Sequence, residues 1–487
     1  MKFIFTLILI LGIFIDGIAG GVKGTIRADS STPLAYPYIA VKGQLKGIIA
    51  NEWGEYQLNL PAGKYELIYQ HLGYESQNKA IEVNEGPAQV IDVCLKEQPL
   101  IWMSSASKGE DLSYSIMRKA IAKAQFHQLQ LSSYAAKSYA RTTVNPEKIP
   151  YDLQRSLKKQ GVQQGRAFIN ESLSEIQYER QNKYYQNILA IKNSLDNSIP
   201  APNEYLLASF YNPTVVGTLS PLAPKSFSYY RFEYEGSFKD QGKIVNKIRI
   251  IPKAYGEGVF KGSICILQDD WAIHSFDLQT TARGLGVRIN QFYKPLENVW
   301  VPVCQFIQID GEYLGFKGEL KYLVSMIYTN LQITPHSDTI PLPKQQQVGA
   351  LQYMNSVKAE SKILYAPINK RIVRQDSIDG NLMANNQTNE YWIAERPVPL
   401  SDLEYSSYTH QDTTDSKSRF SIAKPDSSHF KLLHLATGKT YNFPRGNSFY
   451  LKSPLFSVSY NTVEGNALNL LSAWKKEWKN GKYLKVS

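Results

Sequence analysis

From Phe227 to Ser325 the chain reads as a procession of strands with almost nowhere for a helix to begin. The runs are Tyr229–Tyr234, Lys243–Ile251, Val259–Leu267, Trp271–Gln279, Val287–Tyr293, Trp300–Ile309 and Gly315–Ser325. Turn clusters such as Phe238-Lys-Asp-Gln-Gly242, Tyr255-Gly-Glu-Gly258 and Asp269-Asp270 separate them. Short strands at near-regular spacing, without helical patterns between them, predict an antiparallel meander rather than βαβ units. A sheet this wide must curl or be covered, so a cupped, half-barrel shape is expected.

The remainder of the 487 residues leaves room for two to four domains. Met1-Lys2 followed by the charge-free run Phe3–Ile15 and the small residues around Gly17 and Ala19 reads as a secretory signal, residues 1–19. The run is too short to span a bilayer, and no other stretch approaches the length that a membrane helix needs. In an exported chain, a net charge of +11 favours anionic envelope surfaces over nucleic acid, although a solvated basic surface is the plainer reading. The 32 tyrosines suit strands with one wet face, where the ring packs and the hydroxyl reaches water. The cysteines are Cys94, Cys265 and Cys304, an odd count that argues against a disulfide framework. Other strands intervene between Cys265 and Cys304, so they are not expected to pair, and alternation places Cys94 on the wetter face of its strand.

Residues 20–97 read as a small β-sandwich. Glu55–Leu60 alternates polar and apolar, Pro61-Ala62-Gly63 turns, and Lys64–Tyr69 alternates back. The phrases V-x-G-x-I, P-L-A-Y-P-Y-I-A-V and G-E-Y-Q-L-N-L-P-A-G-K-Y-E-L resemble the carboxypeptidase regulatory-like, transthyretin-like module. That resemblance implies an accessory sandwich without a catalytic group.

Residues 98–334 form the curled-sheet domain. Before the meander, Leu112, Ile116, Ala120 and Ala124 share a face behind a capping Asp111, predicting a helix over 111–124. Leu131–Thr142 and Ala167–Tyr178 read as strands, whereas Tyr178–Leu195 has no clean period. Residues 335–450 are polar and loop-rich, with prolines and the run Gln345-Gln346-Gln347. Within them, Tyr391–Glu404 reads as an anchoring segment. Trp392 packs, Pro397 and Pro399 enforce extension, Arg396 completes the phrase, and Ser401 with Glu404 forms a capping box. From 451 to 487, Asn466–Trp474 is strand-like, and Asn480-Gly481 predicts a hairpin back into Lys482–Ser487. A two-stranded ribbon is not stable alone, so these strands are expected to need partners beyond the sequence.

Signal, sandwich, strand-rich middle, Y-W-x-x-x-R-P-V-P-L-S-x-x-E and Y-N-T-V-E-G together resemble a Gram-negative envelope family of unknown function. The family pairs a carboxypeptidase regulatory-like domain with a domain that ends in an outer-membrane β-barrel. The resemblance implies a mainly β chain: a sandwich, a curled antiparallel sheet with a few helices, and an incomplete, barrel-like hairpin where the barrel is truncated. It also implies a periplasmic or outer-membrane location.

Chemistry is sparse. None of the seven histidines has Glu three residues on, so the zinc-carboxypeptidase ligand pair is missing, as are HExxH, a nucleophile elbow and a Walker loop. Asp269-Asp270 reads as a turn, and Glu171 with Glu175 as two carboxylates on one face without an apolar pocket to tune them. No catalytic residue, cofactor or metal is expected. The expected function is non-enzymatic: outer-membrane-associated binding, assembly or transport, with envelope components or lipid as partners and no nucleic acid. The alternatives are a soluble periplasmic carrier of lipid or another apolar ligand and, more remotely, a carboxypeptidase-type hydrolase. The cup itself either takes up an apolar envelope component or is filled by helix 111–124 as ordinary core, and the second is the plainer expectation.

Overall fold

Alternation with period two drives the first unit into layers. In β4 (Glu55–Asn59), Tyr56 and Leu58 turn inward while Glu55 faces water. In β5 (Gly63–Gln70), Leu67 and Tyr69 are fully buried. The computed structural model describes residues 20–102, 111–194, 209–333 and 387–415 apart from 30, 45–46, 159–161, 180–182, 283, 297–298 and 314, and then only the strands of 439–486 given below. The expected signal segment 1–19, the Gln345–Gln347 run and the Asn480-Gly481 turn lie outside the described residues, save Gly20 onward.

The chain divides into two compact units, the first comprising Met1–Glu97 and Ala394–Pro399. In it, β1 (Gly21–Arg27) pairs with β4, with β7 (Gln89–Val90) and with β8 (Val93–Cys94). The second sheet has the order β3 (Gly47–Ile49), β2 (Tyr38–Val41), β5, β6 (Gln77–Val83). Val22, Ile26, Ile39, Leu58, Leu67 and Val93 form the core of this sandwich. Burying such a cluster supplies roughly 1.5–3 kcal/mol for each large aliphatic side chain. Across the core, the Tyr56 and Tyr69 hydroxyls lie 3.0 Å apart, and Tyr56 also donates to the Ile91 carbonyl at 2.7 Å, so neither buried phenol is left dry. Gly24 has no side chain for a reason: a Cβ there would stand 2.0 Å from the Ile91 carbonyl oxygen.

The second unit is built on one ten-stranded, wholly antiparallel sheet. Its strands are β9 (Leu131–Lys148), β10 (Phe168–Glu179), β11 (Lys183–Asn193), β14 (Tyr230–Asp240), β15 (Lys243–Pro252), β16 (Lys261–Leu267), β17 (Ile273–Ala282), β18 (Leu285–Leu296), β19 (Val299–Tyr313) and β20 (Phe316–Ile333). The order is β11-β10-β9-β20-β19-β18-β17-β16-β15-β14. The meander is therefore not a sheet by itself: β20 pairs back onto β9 over its whole length and joins it to β10 and β11. The expected curl is present, and the sheet does not close. Strand β11 occupies the stretch that showed no clean period. Its register skips Leu189 opposite Leu173 and Ser174, and a bulge of this kind breaks the alternation that identifies a strand.

Helix α1 (Leu112–Leu129) starts where expected, with the Asp111 carboxylate accepting from the Ser113 amide at 2.8 Å, and runs five residues past the predicted end. Smaller elements are α2 (Tyr151–Lys158), the ribbon β12 (Thr214–Val215) and β13 (Thr218–Leu219), and α3 (Ser226–Tyr229). Helices α4 (Asn389–Glu395) and α5 (Asp402–Asp415) flank the proline phrase.

The C-terminal strands correct the expectation that they lack partners. β21 (Lys439–Phe443), β22 (Asn447–Leu451), β25 (Ser472–Glu477) and β26 (Tyr483–Val486) form one sheet in that order. Tyr441 and Phe449, 6.4 Å apart, draw residues expected to be linker into this sheet. The single strand expected over 466–474 is two: β24 (Gly465–Leu468), which pairs with β23 (Val458–Asn461), and β25, which pairs with β22.

Candidate functional site

The register of the large sheet fixes which side chains share a face. One row runs Phe232, Ile250, Gly262, Leu278, Ile289, Ile307, Tyr322, Thr142 across β14 to β9, each directly opposite the next. The adjoining row is Ile264, Phe276, Gln291, Gln305, Val324, Ala140, Ser172. Helix α1 lies on this face. Its Ser113 hydroxyl donates to the Phe232 carbonyl at 2.9 Å, and Tyr114 meets the Phe232 ring edge-on. Its buried stripe, Ile116, Met117, Ala120, Ile121 and Ala124, carries no charge. At the far end of the helix His127 packs on Tyr211, and Tyr211 on Tyr293. Burial pushes the His127 pKa down, so its ring is neutral near pH 7. Phe210 covers Phe276 at 4.1 Å between centroids. Helix α1 thus fills part of this face as core.

Beyond the helix, over β9 and β10, the same face is lined by small residues: Ala136, Ser138, Ala140, Ser172 and Ser174. A stack of Tyr134 on Tyr178, with Tyr328 edge-on, stands at one end of it. Between the two regions, Tyr322 (0% exposed) and Gln305 (3% exposed) bury polar atoms that find no partner: the Tyr322 hydroxyl and Gln305 Nε2 have none among the described residues.

The opposite face carries a second cluster that sequence spacing did not reveal. His274 Nε2 lies 2.9 Å from Asp240 Oδ2, and its Nδ1 lies 2.9 Å from the Ser275 hydroxyl. These residue types in that order match a hydrolase triad, yet Ser275 is 1% exposed and neighbours His274 on the same strand. Its hydroxyl faces Cys265, directly opposite on β16, rather than solvent. A nucleophile must be reachable by a substrate, so this set is a buried relay. Burial raises the Cys265 thiol to about 11 and the Cys304 thiol to about 12, and all three cysteines are free. Nearby, desolvation pulls the Lys294 ammonium down to about 8 against the opposing pull of Asp240. A bulge opposite Cys265 and Ile266 rotates His274 toward Asp240, and bulge positions carry no sequence signature.

The five anchor residues divide between the units. Trp392 and Glu404 belong to the second, and Arg396, Pro397 and Pro399 to the first. Trp392 is buried on α4, which ends before Pro397 because the residue preceding a proline is steered out of helical geometry. In the first unit the Asn59 side-chain amide donates to the Ala394 carbonyl at 2.9 Å. In the second, Ser401 and Glu404 form a reciprocal cap on α5: the Ser401 amide donates to Glu404 Oε2 at 2.9 Å, and the Glu404 amide to the Ser401 hydroxyl at 3.4 Å. Glu404 Oε1 also accepts from Thr143 at 2.7 Å and lies 3.4 Å from Arg141 Nε. Beside this pair Glu171 is wholly buried, accepting from the hydroxyls of Tyr139 and Tyr408. Its expected companion Glu175 shares the face but is exposed, and Asp269-Asp270 forms the tight turn that the sequence predicted. Among the described residues no group of three or more His, Cys, Asp or Glu side chains could hold a metal ion.

Two family models match the chain: a CarboxypepD_reg-like domain over residues 22–102 and a family of unknown function, DUF5686, over residues 116–329. The chain thus carries a CarboxypepD_reg-like domain at its N-terminus and a DUF5686 region after it. The DUF5686 match begins within α1 and ends within β20, so it takes in the ten-stranded sheet almost entirely. No curated protein matches the chain. Among solved structures, a LolA superfamily protein from Nitrosomonas europaea is 9% identical, over 47% of this chain and 96% of its own, with a TM-score of 0.19. A putative outer membrane lipoprotein-sorting protein domain from Vibrio parahaemolyticus is 13% identical, over 45% and 94%, also at 0.19. A putative carbohydrate binding protein from Bacteroides uniformis is 8% identical, over 36% and 99%, at 0.16. Scores this low do not define the DUF5686 fold.

Proposed function

We propose that this protein is a non-enzymatic, outer-membrane-associated component of a Gram-negative envelope, and that its curled sheet binds an apolar or amphiphilic envelope molecule on the face that carries α1. The observation that carries the reading is the change along that face: a helix with an uncharged stripe at the β14 side, then a floor of small residues over β9 and β10, with buried polar atoms lacking partners between them. Binding sites are mostly apolar and concave, with a few polar groups placed to orient the ligand. The secretory signal read over residues 1–19 supports export, and the strands after Lys439 support the reading of a barrel-like C-terminal part. The buried setting of Ser275 speaks against the hydrolase alternative.

Incubation of the full chain with radiolabelled envelope lipid is expected to give saturable binding that unlabelled lipid competes away. Linear, non-competable uptake would overturn the reading. Fractionation tests the location separately: the protein is expected in the outer-membrane fraction, and recovery wholly in the soluble periplasm would replace membrane association with a free carrier.

A further inference from the structure

On the α1-bearing face, Gln305 of β19 lies directly opposite Val324 of β20, and Tyr322 is two residues along that strand. The two are diagonal neighbours on one face, close enough for their long side chains to reach a common point. Each buries a polar atom without a partner among the described residues. Ile289, Ile307 and Val324 beside them are apolar, and the polar neighbours directly opposite, Gln291 and Thr142, hydrogen-bond neither atom. Both atoms can donate: the phenol through its O–H, the amide through either N–H. Burial raises the pKa of Tyr322, so the phenol keeps its proton. Two neighbouring buried donors without partners call for an acceptor. That acceptor is uncharged for a physical reason: the rows around it and the buried stripe of α1 contain no lysine or arginine, and a carboxylate or phosphate buried without a countercharge is strongly penalised.

Resting on the binding face proposed above, we infer that Tyr322 and Gln305 hold the neutral carbonyl oxygen of an acyl ester or amide, the point where a fatty chain joins its headgroup. The chain then lies along the apolar rows and the small-residue floor, and the headgroup leads away from the donor pair. The ligand class is an acylated molecule rather than a free fatty acid or a plain hydrocarbon.

The test compares three probes built on a ten-carbon chain against a phenylnaphthylamine dye bound to the full chain: methyl decanoate, decyl methyl ether and decanoate. The ester is expected to displace the dye at roughly one-tenth of the concentration needed by either of the others, the tenfold step that one good hydrogen bond supplies. Tyr322→Phe and Gln305→Met are each expected to abolish the ester's advantage over the ether without lowering the melting temperature, because each removes a buried atom that lacks a partner. Should Tyr322→Phe fail to fold, Gln305→Met carries the test. Equal displacement by ester and ether from the unaltered protein overturns the carbonyl anchor and leaves the binding face standing. So does an ester advantage that survives both substitutions. Failure of the dye to bind saturably, with no probe binding either, overturns the binding face itself.

Discussion

Tyr408 of α5 donates a 2.8 Å hydrogen bond to Oε2 of Glu171, a wholly buried carboxylate on β10. The bond ties a helix to a strand 237 residues earlier in the chain. Replacing Tyr408 with Phe keeps the ring and leaves that oxygen one donor short, so a loss of about 1–3 kcal/mol is expected. Urea denaturation would register it as a lower midpoint with an unchanged slope. An unshifted midpoint would mean that α5 is not held through Glu171.

Glu404 has a stronger claim. It caps α5, accepts from Thr143 and faces the buried Arg141, whose side chain is 4% exposed. Arg141→Met removes one partner of a buried ion pair and is expected to cost about 3–5 kcal/mol. Glu404→Gln should cost less, since its single amide oxygen can still accept from either Thr143 or the Ser401 amide, though not both. Thermal unfolding of the two variants in parallel checks the order, and a costlier Glu404→Gln would contradict it.

Lys294 makes stability depend on pH with a defined sign. Its folded pKa of about 8 lies below the ordinary lysine value, so between about pH 8 and the unfolded pKa near ~10.4 the unfolded chain holds more protons than the folded one. Its contribution therefore makes stability rise with pH through that window. Lys294→Met should stabilise the protein at pH 7 by on the order of 1–3 kcal/mol, and the advantage should shrink toward pH 10. Melting temperatures of both proteins across that range test it, and a difference that stays constant with pH would refute it.

The thiols should separate cleanly. Cys94 is exposed, while Cys265 and Cys304 are buried with their thiolates disfavoured. Maleimide at neutral pH is expected to add one label quickly and two more only after denaturation, as read by intact mass. Rapid addition of all three would show that the sheet opens at β16 and β19.

Much of this architecture was legible in local pattern. Alternation in Glu55–Leu60 and in the meander runs reports burial directly, and Asp111 and Ser401 announce helix starts because capping is a local event. What remained hidden depends on pairing between distant segments. The return of β20 onto β9 joins residues nearly two hundred apart, and nothing local records it. The skip at Leu189 concealed β11, and the bulge beside Ile266 concealed the Asp240–His274–Ser275 chain. The C-terminal strands seemed unpartnered because their partner β22 lies in a stretch whose polar composition reads as linker. Tyr322 and Gln305 drew no notice for the same reason: a tyrosine and a glutamine in alternating strands look ordinary until the register shows that both face inward and neither is answered.

The hexapeptide Ala394–Pro399 belongs to the sandwich although the chain on either side of it belongs to the other unit. The sandwich is consequently a discontinuous domain, completed by residues made some three hundred positions after its last strand. During synthesis the N-terminal ninety-seven residues emerge long before the piece that finishes them, so the final seating of the first domain must wait for the second to be translated. A gene fragment ending at Glu97 would likewise encode the two sheets without the Ala394 carbonyl to which the Asn59 side-chain amide donates.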